Sequence, residues 1–233
     1  DDRGIWKNDE AGIGLAHARL SILDLSSAGH QPMHSASKNF VIVFNGEIYN
    51  HKNLRSELDS HSHINWSGHS DTETLLAAIE RWGLEKTLKK TKGMFAVALW
   101  DKRSKKLSLA CDRIGEKPIY YGWVNGHFVF ASELKAIKKF PDFKNPIDRN
   151  SLALFLRFNS IPAPHSIYQD IYKVEAGQII QIQAESKQIN KHNYWSVEEV
   201  YKKGRLSPFS GSPEEAVNQL NKLLVSAISS QMQ

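Results

Sequence analysis

Runs of apolar residues along the chain predict four β-strands, at residues 39–46, 94–100, 106–111 and 127–132. These runs are rich in β-branched and aromatic side chains, which suit a pleated and half-buried surface. Asn125-Gly126 predicts a tight hairpin before the fourth run, because both residues tolerate a positive φ. A longer polar loop joins the second and third runs into another hairpin, and residues 179–195 are typical of a further strand pair.

Helical spacing of apolar residues appears after capping residues at several points. The predicted helices follow Asn50, Ser70, Ser132 and Asp148. Ser70 with Glu73 predicts a capping box, and Gly83 is a stop signal for the same helix. Many antiparallel strands with interspersed helices predict an α+β sandwich, in which sheets pack together and helices lie outside.

The end of the chain has a different character. Residues 196–212 are polar and rich in Ser, Gly and Pro, which favours a linker. Ser212-Pro213 with Glu215 then starts a helix with an apolar stripe that continues to the last residues. Because the chain begins with Asp rather than Met and stops inside this helix, we expect it to be a fragment that lacks residues at both ends.

Charge and composition exclude several classes of protein. The 30 basic and 25 acidic residues give a formal charge of +5. The basic residues are scattered rather than gathered in a stripe with aromatics, as a nucleic-acid surface requires. No apolar run reaches the ~18 residues of a membrane helix. We therefore expect no nucleic-acid partner and no membrane partner, and the single cysteine favours a reducing, cytoplasmic setting.

Metal binding and cysteine catalysis are both disfavoured by the sequence. His61, His63 and His69 lie in a polar loop without a cysteine or an H-E-x-x-H pattern, so we expect no metal site. Cys111 stands in mid-strand beside Asp112, whose charge opposes thiolate formation. We interpret Cys111 as a packing residue rather than a nucleophile.

Three short features could carry chemistry, and each has a structural alternative. Asn45-Gly46 could place two hydrogen-bond donors around an oxyanion, although on spacing alone a simple turn is favoured. Asp71 could bind a cationic ligand group or merely complement a helix dipole. Arg19 could grip a carboxylate in a bidentate fork or be an ordinary exposed side chain.

The order of the motifs is more informative than any one of them. The segments AHARLSILDLSSAGHQPM, FNGEIYNHKNLR, SGHSDTETLL, GMFAVALWD, DRIGEKPIYYG and FASELKAI follow one another along the chain. Over about residues 1–195 this series resembles the glutamine-hydrolysing asparagine synthetase family. The resemblance implies an N-terminal glutaminase, a class II glutamine amidotransferase domain. Its expected fold is a four-layer αββα sandwich of the N-terminal-nucleophile hydrolase type. In that family an N-terminal Cys attacks the glutamine amide, and the released ammonia passes to a second, ATP-dependent domain that amidates aspartate.

The resemblance also implies roles for individual residues. Arg19 matches the residue that holds the glutamine α-carboxylate, and the backbone at Ile22 and Leu23 lines the same pocket. Asn45 and the N–H of Gly46 match the oxyanion hole. Two carboxylates match the groups near the glutamine α-amino end, namely Glu47 and Asp71.

The sequence departs from the family pattern in three places. The nucleophilic Cys and its strand, which the family places before Asp1, are lacking. Cys111 stands where the family usually has Arg, so it does not align with the nucleophile. The ATP motif S-G-G-x-D-S is also lacking, and residues 213–233 match the helix that leads up to it. We therefore expect a truncated glutaminase domain at 1–195, a linker at 196–212 and the first helix of a synthetase domain at 213–233.

These departures fix the expected cofactors and partners. We expect no cofactor on this chain, since ATP and Mg²⁺ belong to the synthetase domain, and we expect the fragment to be inactive. Its expected partners are glutamine and its own C-terminal synthetase domain, and a second copy forming a homodimer is a further candidate. Two alternatives remain open: the same domain serving another acceptor, such as a sugar acid in surface-polysaccharide synthesis, or a non-catalytic scaffold domain.

Overall fold

The computed structural model describes residues 2–19, 26–61 and 63–232. The helices are α1 His51–His61, α2 Asp71–Trp82, α3 Leu84–Lys90, α4 Leu134–Ile137, α5 Arg149–Phe158, α6 Val197–Leu206 and α7 Pro213–Gln231. The strands are β1 Asp2–Asn8, β2 Ile13–Arg19, β3 Met33–His34, β4 Phe40–Ile48, β5 Gly93–Asp101, β6 Lys106–Cys111, β7 Tyr120–Val124, β8 His127–Ala131, β9 Ile171–Lys173, β10 Gln178–Gln183 and β11 Ile189–Asn193.

A six-stranded sheet forms the centre of the molecule, with strand order β11-β10-β6-β5-β4-β3. Its neighbouring strands pair antiparallel. The inner strand β5 is buried almost throughout its length, because both faces of the sheet are covered. This explains why its sequence is a continuous apolar run rather than an alternating one.

Helices α1, α2 and α3 cover one face of this sheet. The core between them contains Phe95 and Val97 from β5, with Leu54 from α1 and Leu75 and Ile79 from α2. Alternate residues of a strand point to opposite faces, so the other residues of β5 belong to a different core.

That second core lies between the central sheet and two smaller sheets. Ala96 and Trp100 of β5 belong to it, together with Leu15 from the β1–β2 hairpin and Tyr121 from the three-stranded sheet β8-β7-β9. The far face of the three-stranded sheet packs against α4, where Ile137 is buried. The layers are therefore helix, sheet, sheet and helix, and the predicted αββα sandwich is confirmed.

Most predicted elements are present, and the exceptions have local causes. The helix predicted after Ser132 has only four residues, Leu134–Ile137, and its N-cap is Glu133 without a side-chain cap bond. The predicted capping box of α2 is half formed. Ser70 accepts from the Glu73 N–H, whereas the Glu73 carboxylate accepts from the N–H groups of Ser67 and Gly68.

Helices α3 and α6 were not predicted. Gly83 ends α2, as expected, but α3 begins directly after it. Helix α6 lies inside the segment interpreted as a linker, where Ser196 caps it by accepting from the Glu199 N–H. The proposed division of the chain at 195 and 212 stays a prediction.

Candidate active site

Strand β4 presents three of the predicted site residues at an open edge of the central sheet. Its outer neighbour β3 pairs only with Val41 and Ile42, and within residues 2–19, 26–61 and 63–232 no strand pairs with the rest of β4 on that side. On its inner side Gly46 lies opposite Phe95. The N–H and C=O of Phe95 both face Asp112, at 3.1 and 2.9 Å. In an antiparallel pair Gly46 must then direct its own N–H towards the open edge.

The two neighbouring backbone N–H groups on that edge both donate hydrogen bonds to buried side chains. The Phe44 N–H donates to Oε1 of Gln31 at 2.7 Å, and the Ile48 N–H donates to Oδ2 of Asp71 at 2.9 Å. Alternate amides of a strand share one edge. The Gly46 N–H therefore lies between these two bonds.

Position 46 accepts glycine only. An added Cβ would lie 2.1 Å from the carbonyl oxygen of Met94, and φ is 152°, a value that L-residues rarely adopt. Glycine thus allows the strand to present a backbone N–H where any other residue would displace it.

A cavity of about 210 Å³ opens at this edge. Five of the seven predicted site residues line it: Arg19, Asn45, Gly46, Glu47 and Asp71. Their roles towards a substrate stay predictions. The other two, Ile22 and Leu23, lie outside the described residues.

Asp71 is a buried carboxylate at the first position of α2. Its side chain is held by the Ile48 N–H, and the hydroxyl of Thr72 lies 3.5 Å from Oδ1. Burial raises the pKa of Asp71 to about 6, and the nearby charge of Glu47 acts in the same direction. A desolvated carboxylate with a raised pKa in a cavity is characteristic of functional sites.

Arg19 ends β2, and backbone groups orient its guanidinium. Nη1 donates to the carbonyl oxygen of Ser26 at 3.1 Å. Gly29 backs the guanidinium so closely that an added Cβ would lie 2.1 Å from Nη2. This packing directs a planar, permanently charged group to the wall of the cavity.

Asn45 supplies a side-chain amide on the same edge. Its Nδ2 lies 3.3 Å from the hydroxyl of Ser132, in the segment between β8 and α4. The amide can therefore donate both to Ser132 and to a ligand, since the NH₂ group has two hydrogens.

The lining residues that were not predicted as site residues include His17, Gln31, Thr72 and Lys117. His17 could have been found, because it stands two residues before Arg19 on the same face of β2. Burial lowers the pKa of His17, so the ring is neutral at pH 7. Its Nδ1 is buried without a hydrogen-bond partner among the described residues. No pattern marks Gln31, which lies in an aperiodic segment before β3.

Cys111 does not belong to the site. Its side chain is 1% exposed, and the thiol donates to the carbonyl oxygen of Lys117 at 3.3 Å. Burial and the charge of Asp112 raise the pKa of Cys111 to about 12. Within residues 2–19, 26–61 and 63–232, no three His, Cys, Asp or Glu side chains come together in a way that could hold a metal ion.

The family profile of the glutamine amidotransferase domain matches residues 1–195. The chain belongs to this family of class II glutamine amidotransferase domains. The resemblance stated from the motifs is confirmed, and the five residues on the cavity stand within the matched part of this amidotransferase domain.

Curated relatives of the amidotransferase domain are mostly named as asparagine synthetases. A putative glutamine-hydrolysing asparagine synthetase 2 of Methanocaldococcus jannaschii is 33% identical over 227 residues, which cover 88% of this chain and 43% of the relative. The glutamine-hydrolysing asparagine synthetase 3 of Bacillus subtilis is 33% identical over 201 residues, covering 85% of this chain and 32% of the relative. The chain thus spans less than half the length of these relatives.

The solved structure of glutamine phosphoribosylpyrophosphate amidotransferase from B. subtilis shares the fold. Its TM-score is 0.56 at 20% identity, and the match covers 78% of this chain and 35% of that one. This likeness supports the stacked-sheet architecture of N-terminal-nucleophile amidotransferases. In the described part of the chain, no helix combines the length and apolar character that crossing a membrane requires.

Proposed function

We propose that this domain binds L-glutamine in the cavity at the edge of β4 and is the glutaminase part of a glutamine-hydrolysing asparagine synthetase. The observation that carries the proposal is the set of charges on one cavity. A guanidinium, Arg19, and two carboxylates, Glu47 and Asp71, lie on it with the donors of Asn45 and Gly46. These groups complement an amino acid with an amide side chain.

Each group on the cavity has a proposed partner on glutamine. Arg19 grips the α-carboxylate through its planar fork. Asp71 and Glu47 bind the α-ammonium, whose positive charge offsets the cost of burying the carboxylate of Asp71. The Gly46 N–H and the Asn45 amide point at the side-chain carbonyl. When that carbonyl is attacked, the same two donors stabilise the negative charge that develops on its oxygen.

The attacking group is proposed to lie outside these 233 residues. The chain has a single cysteine, and Cys111 is buried away from the cavity with a pKa near 12. We therefore propose that the chain by itself binds glutamine without hydrolysing it. In the complete protein, a cysteine thiolate would attack the amide, ammonia would leave, and water would release glutamate.

The use of ammonia is proposed from the relatives that are named asparagine synthetases. ATP and Mg²⁺ would drive amidation of aspartate in a separate synthetase domain of the same protein. The residues present here do not fit these groups: the sequence has no S-G-G-x-D-S run. A cytoplasmic location and a homodimer are part of the same proposal.

A different acceptor is a second candidate. One relative, 31% identical over 198 residues, is an amidase named chry2 from Gibberella zeae. The glutamine site described here is compatible with any acceptor, including a sugar acid, because acceptor recognition would belong to the synthetase domain.

Calorimetric titration of the purified chain tests the glutamine site. L-Glutamine is compared with three ligands that each lack one group: 4-aminobutanamide (no carboxylate), 4-carbamoylbutanoate (no ammonium) and L-norvaline (no amide). We expect every analogue to bind at least about tenfold more weakly than L-glutamine, because each lacks one of the groups that are proposed to pair with the cavity. No binding of L-glutamine at millimolar concentration would contradict the proposal and favour the scaffold alternative. Supplying aspartate or a sugar acid with ATP to the full-length gene product then separates the two acceptors.

A further inference from the structure

Four hydrogen bonds form a closed path around the part of β4 that carries the site. The path starts at the Phe44 N–H, which donates to Oε1 of Gln31 at 2.7 Å. Nε2 of Gln31 donates to the hydroxyl of Thr72 at 3.4 Å, and that hydroxyl donates to Oδ1 of Asp71 at 3.5 Å. Oδ2 of Asp71 accepts from the Ile48 N–H at 2.9 Å, which returns the path to the same strand.

The direction of each bond in the path is fixed by chemistry. A backbone N–H can only donate, so Phe44 requires the oxygen of the Gln31 amide and leaves its NH₂ group for Thr72. An ionised Asp71 can only accept, so the hydroxyl of Thr72 donates to it and accepts from Gln31. The three side chains are buried, with 6%, 3% and 6% exposure for Gln31, Thr72 and Asp71. Because these side chains are buried, the loss of one of the bonds is expected to be costly.

We propose that Gln31 is a positioning residue for the glutamine site. Gln31 holds the strand at Phe44, before Gly46, and Asp71 holds it at Ile48, after Gly46. Together they keep the Gly46 N–H at a constant distance from Asp71. Asn45, Gly46 and Glu47 lie between the two clamped amides, so neither end of this segment can move towards or away from α2. Strand β5 holds the inner side of this segment. Without Gln31, its outer side would be held only at Ile48, because no strand of the described residues pairs with it there.

The inference rests on the proposed function for its ligand, since the separation of Gly46 and Asp71 matters for a molecule that contacts both. Glutamine would contact Gly46 through its side-chain carbonyl and Asp71 through its α-ammonium. A small shift between two such groups weakens binding, because the ligand then has to leave its best bound geometry to keep both contacts.

The test compares three variants of the purified chain. Gln31→Met keeps the length of the side chain and removes both hydrogen bonds. Thr72→Val keeps the shape of the side chain and removes only its hydroxyl group, so the bond from Phe44 to Gln31 remains. This variant keeps the inference testable if Gln31→Met does not fold. Gln178→Met is the matched control: Gln178 is another buried glutamine with two bonds of its own, both to Glu175, and it lies on β10, outside the residues that line the cavity.

Two readouts are taken from each variant. Amide hydrogen exchange, followed by NMR without ligand, reports the hydrogen bonds that hold the Phe44 and Ile48 amides, which we call the clamp. Gln31→Met should lose at least tenfold protection at Phe44 and a smaller factor at Ile48, while Gln178→Met leaves both unchanged. Titration with L-glutamine reports positioning: we expect about tenfold weaker binding for Gln31→Met, a few-fold for Thr72→Val and no change for Gln178→Met.

The outcomes separate this inference from the proposed function. If the unmodified chain binds L-glutamine and Gln31→Met binds it equally well, the positioning role is wrong while the glutamine site stands. If exchange at Phe44 and Ile48 is the same in Gln31→Met and the unmodified chain, the clamp itself is wrong. If the exchange changes as expected but the unmodified chain binds no L-glutamine, the clamp is supported and the proposed function is rejected.

Discussion

The carboxylate of Asp71 accepts a hydrogen bond from the backbone N–H of Ile48 at 2.9 Å, across 23 positions of sequence. This bond joins the first residue of α2 to the open edge of β4. The carboxylate serves two demands at once, because it completes the hydrogen bonding of an edge strand and keeps a negative charge beside the cavity. The two roles have opposite effects on stability. The hydrogen bond to Ile48 stabilises the fold, whereas a buried charge beside the cavity destabilises it.

Asp71→Asn should separate the two demands. The asparagine oxygen can still accept from Ile48, and the buried charge is removed. The folded-state pKa of about 6 lies above the unfolded value of 3.8. The protonated form is therefore favoured by folding, and ionisation destabilises the fold progressively between pH 4 and 6, by on the order of 3 kcal/mol. We expect the variant to be at least as stable as the unmodified chain at pH 7, with the difference shrinking towards pH 4, measured by urea denaturation across this range.

Ligand binding should change in the opposite direction in the same variant. Asp71→Asn is expected to weaken L-glutamine binding by at least tenfold at pH 7, whereas binding by the unmodified chain should decline as pH falls below 6. In a full-length protein, synthesis with free ammonia should be spared, because ammonia has no α-ammonium group to bind. Asp101→Asn, at the last residue of β5, is the control. A variant that loses stability at pH 7 and retains glutamine binding would show that the carboxylate has only a structural role.

Arg19→Lys should reveal which end of glutamine the guanidinium holds. Lysine keeps the positive charge but cannot form two parallel bonds to a carboxylate. We expect calorimetry to show about tenfold weaker binding of L-glutamine and unchanged binding of 4-aminobutanamide, which has no carboxylate. Arg103→Lys, on the β5–β6 turn, should change neither. An equal loss for both ligands would mean that Arg19 shapes the cavity rather than pairing with the carboxylate.

Gly46→Ala should disrupt the strand that carries the site. The new Cβ would meet the Met94 carbonyl oxygen at 2.1 Å, and the backbone has a φ of 152°. A backbone neighbour cannot move aside as a flexible side chain can, so we expect a loss of about 3 kcal/mol in the free energy of unfolding. Gly14→Ala on β2 is the matched control, since nothing lies within 4 Å of its added Cβ. Equal urea midpoints for the two variants would contradict this account of the strand.

The fold and part of the site could be predicted from the sequence because their signals are local. Asp71 follows a capping serine and starts an apolar helical pattern, and both features survive in the structure. The strand ending in Asn45-Gly46 was recognised by its apolar run. In contrast, the turn interpretation of Asn45-Gly46 is wrong: both residues lie inside β4, and the two-residue strand β3 does not extend far enough to pair with them.

Gln31 marks the limit of such reasoning. It belongs to no periodic segment, and its two partners lie 13 and 41 positions away. Nothing in its neighbourhood along the chain distinguishes a buried bridging amide from an exposed loop residue. The strand pattern around Cys111 likewise predicts that its side chain is buried, but it does not predict how far burial raises the pKa of the thiol.

The purified chain should release no glutamate from glutamine. An oxyanion hole and binding groups alone retain only about 10³-fold catalysis in a serine protease without its triad, which is too little for an amide in an ordinary assay. Cys111 is not expected to act as the nucleophile. With a pKa of about 12, its thiolate fraction at pH 8 is on the order of one in ten thousand, and its side chain is 1% exposed. We expect an aromatic disulfide reagent to label Cys111 rapidly in urea and at least a hundredfold more slowly in the folded chain. Glutamate release is to be followed in parallel for the unmodified chain and for Cys111→Ser, with both expected at background. Turnover by the unmodified chain that disappears in Cys111→Ser would contradict this expectation, since the buried thiol would then reach the amide through a conformation that opens the contact between Cys111 and Lys117.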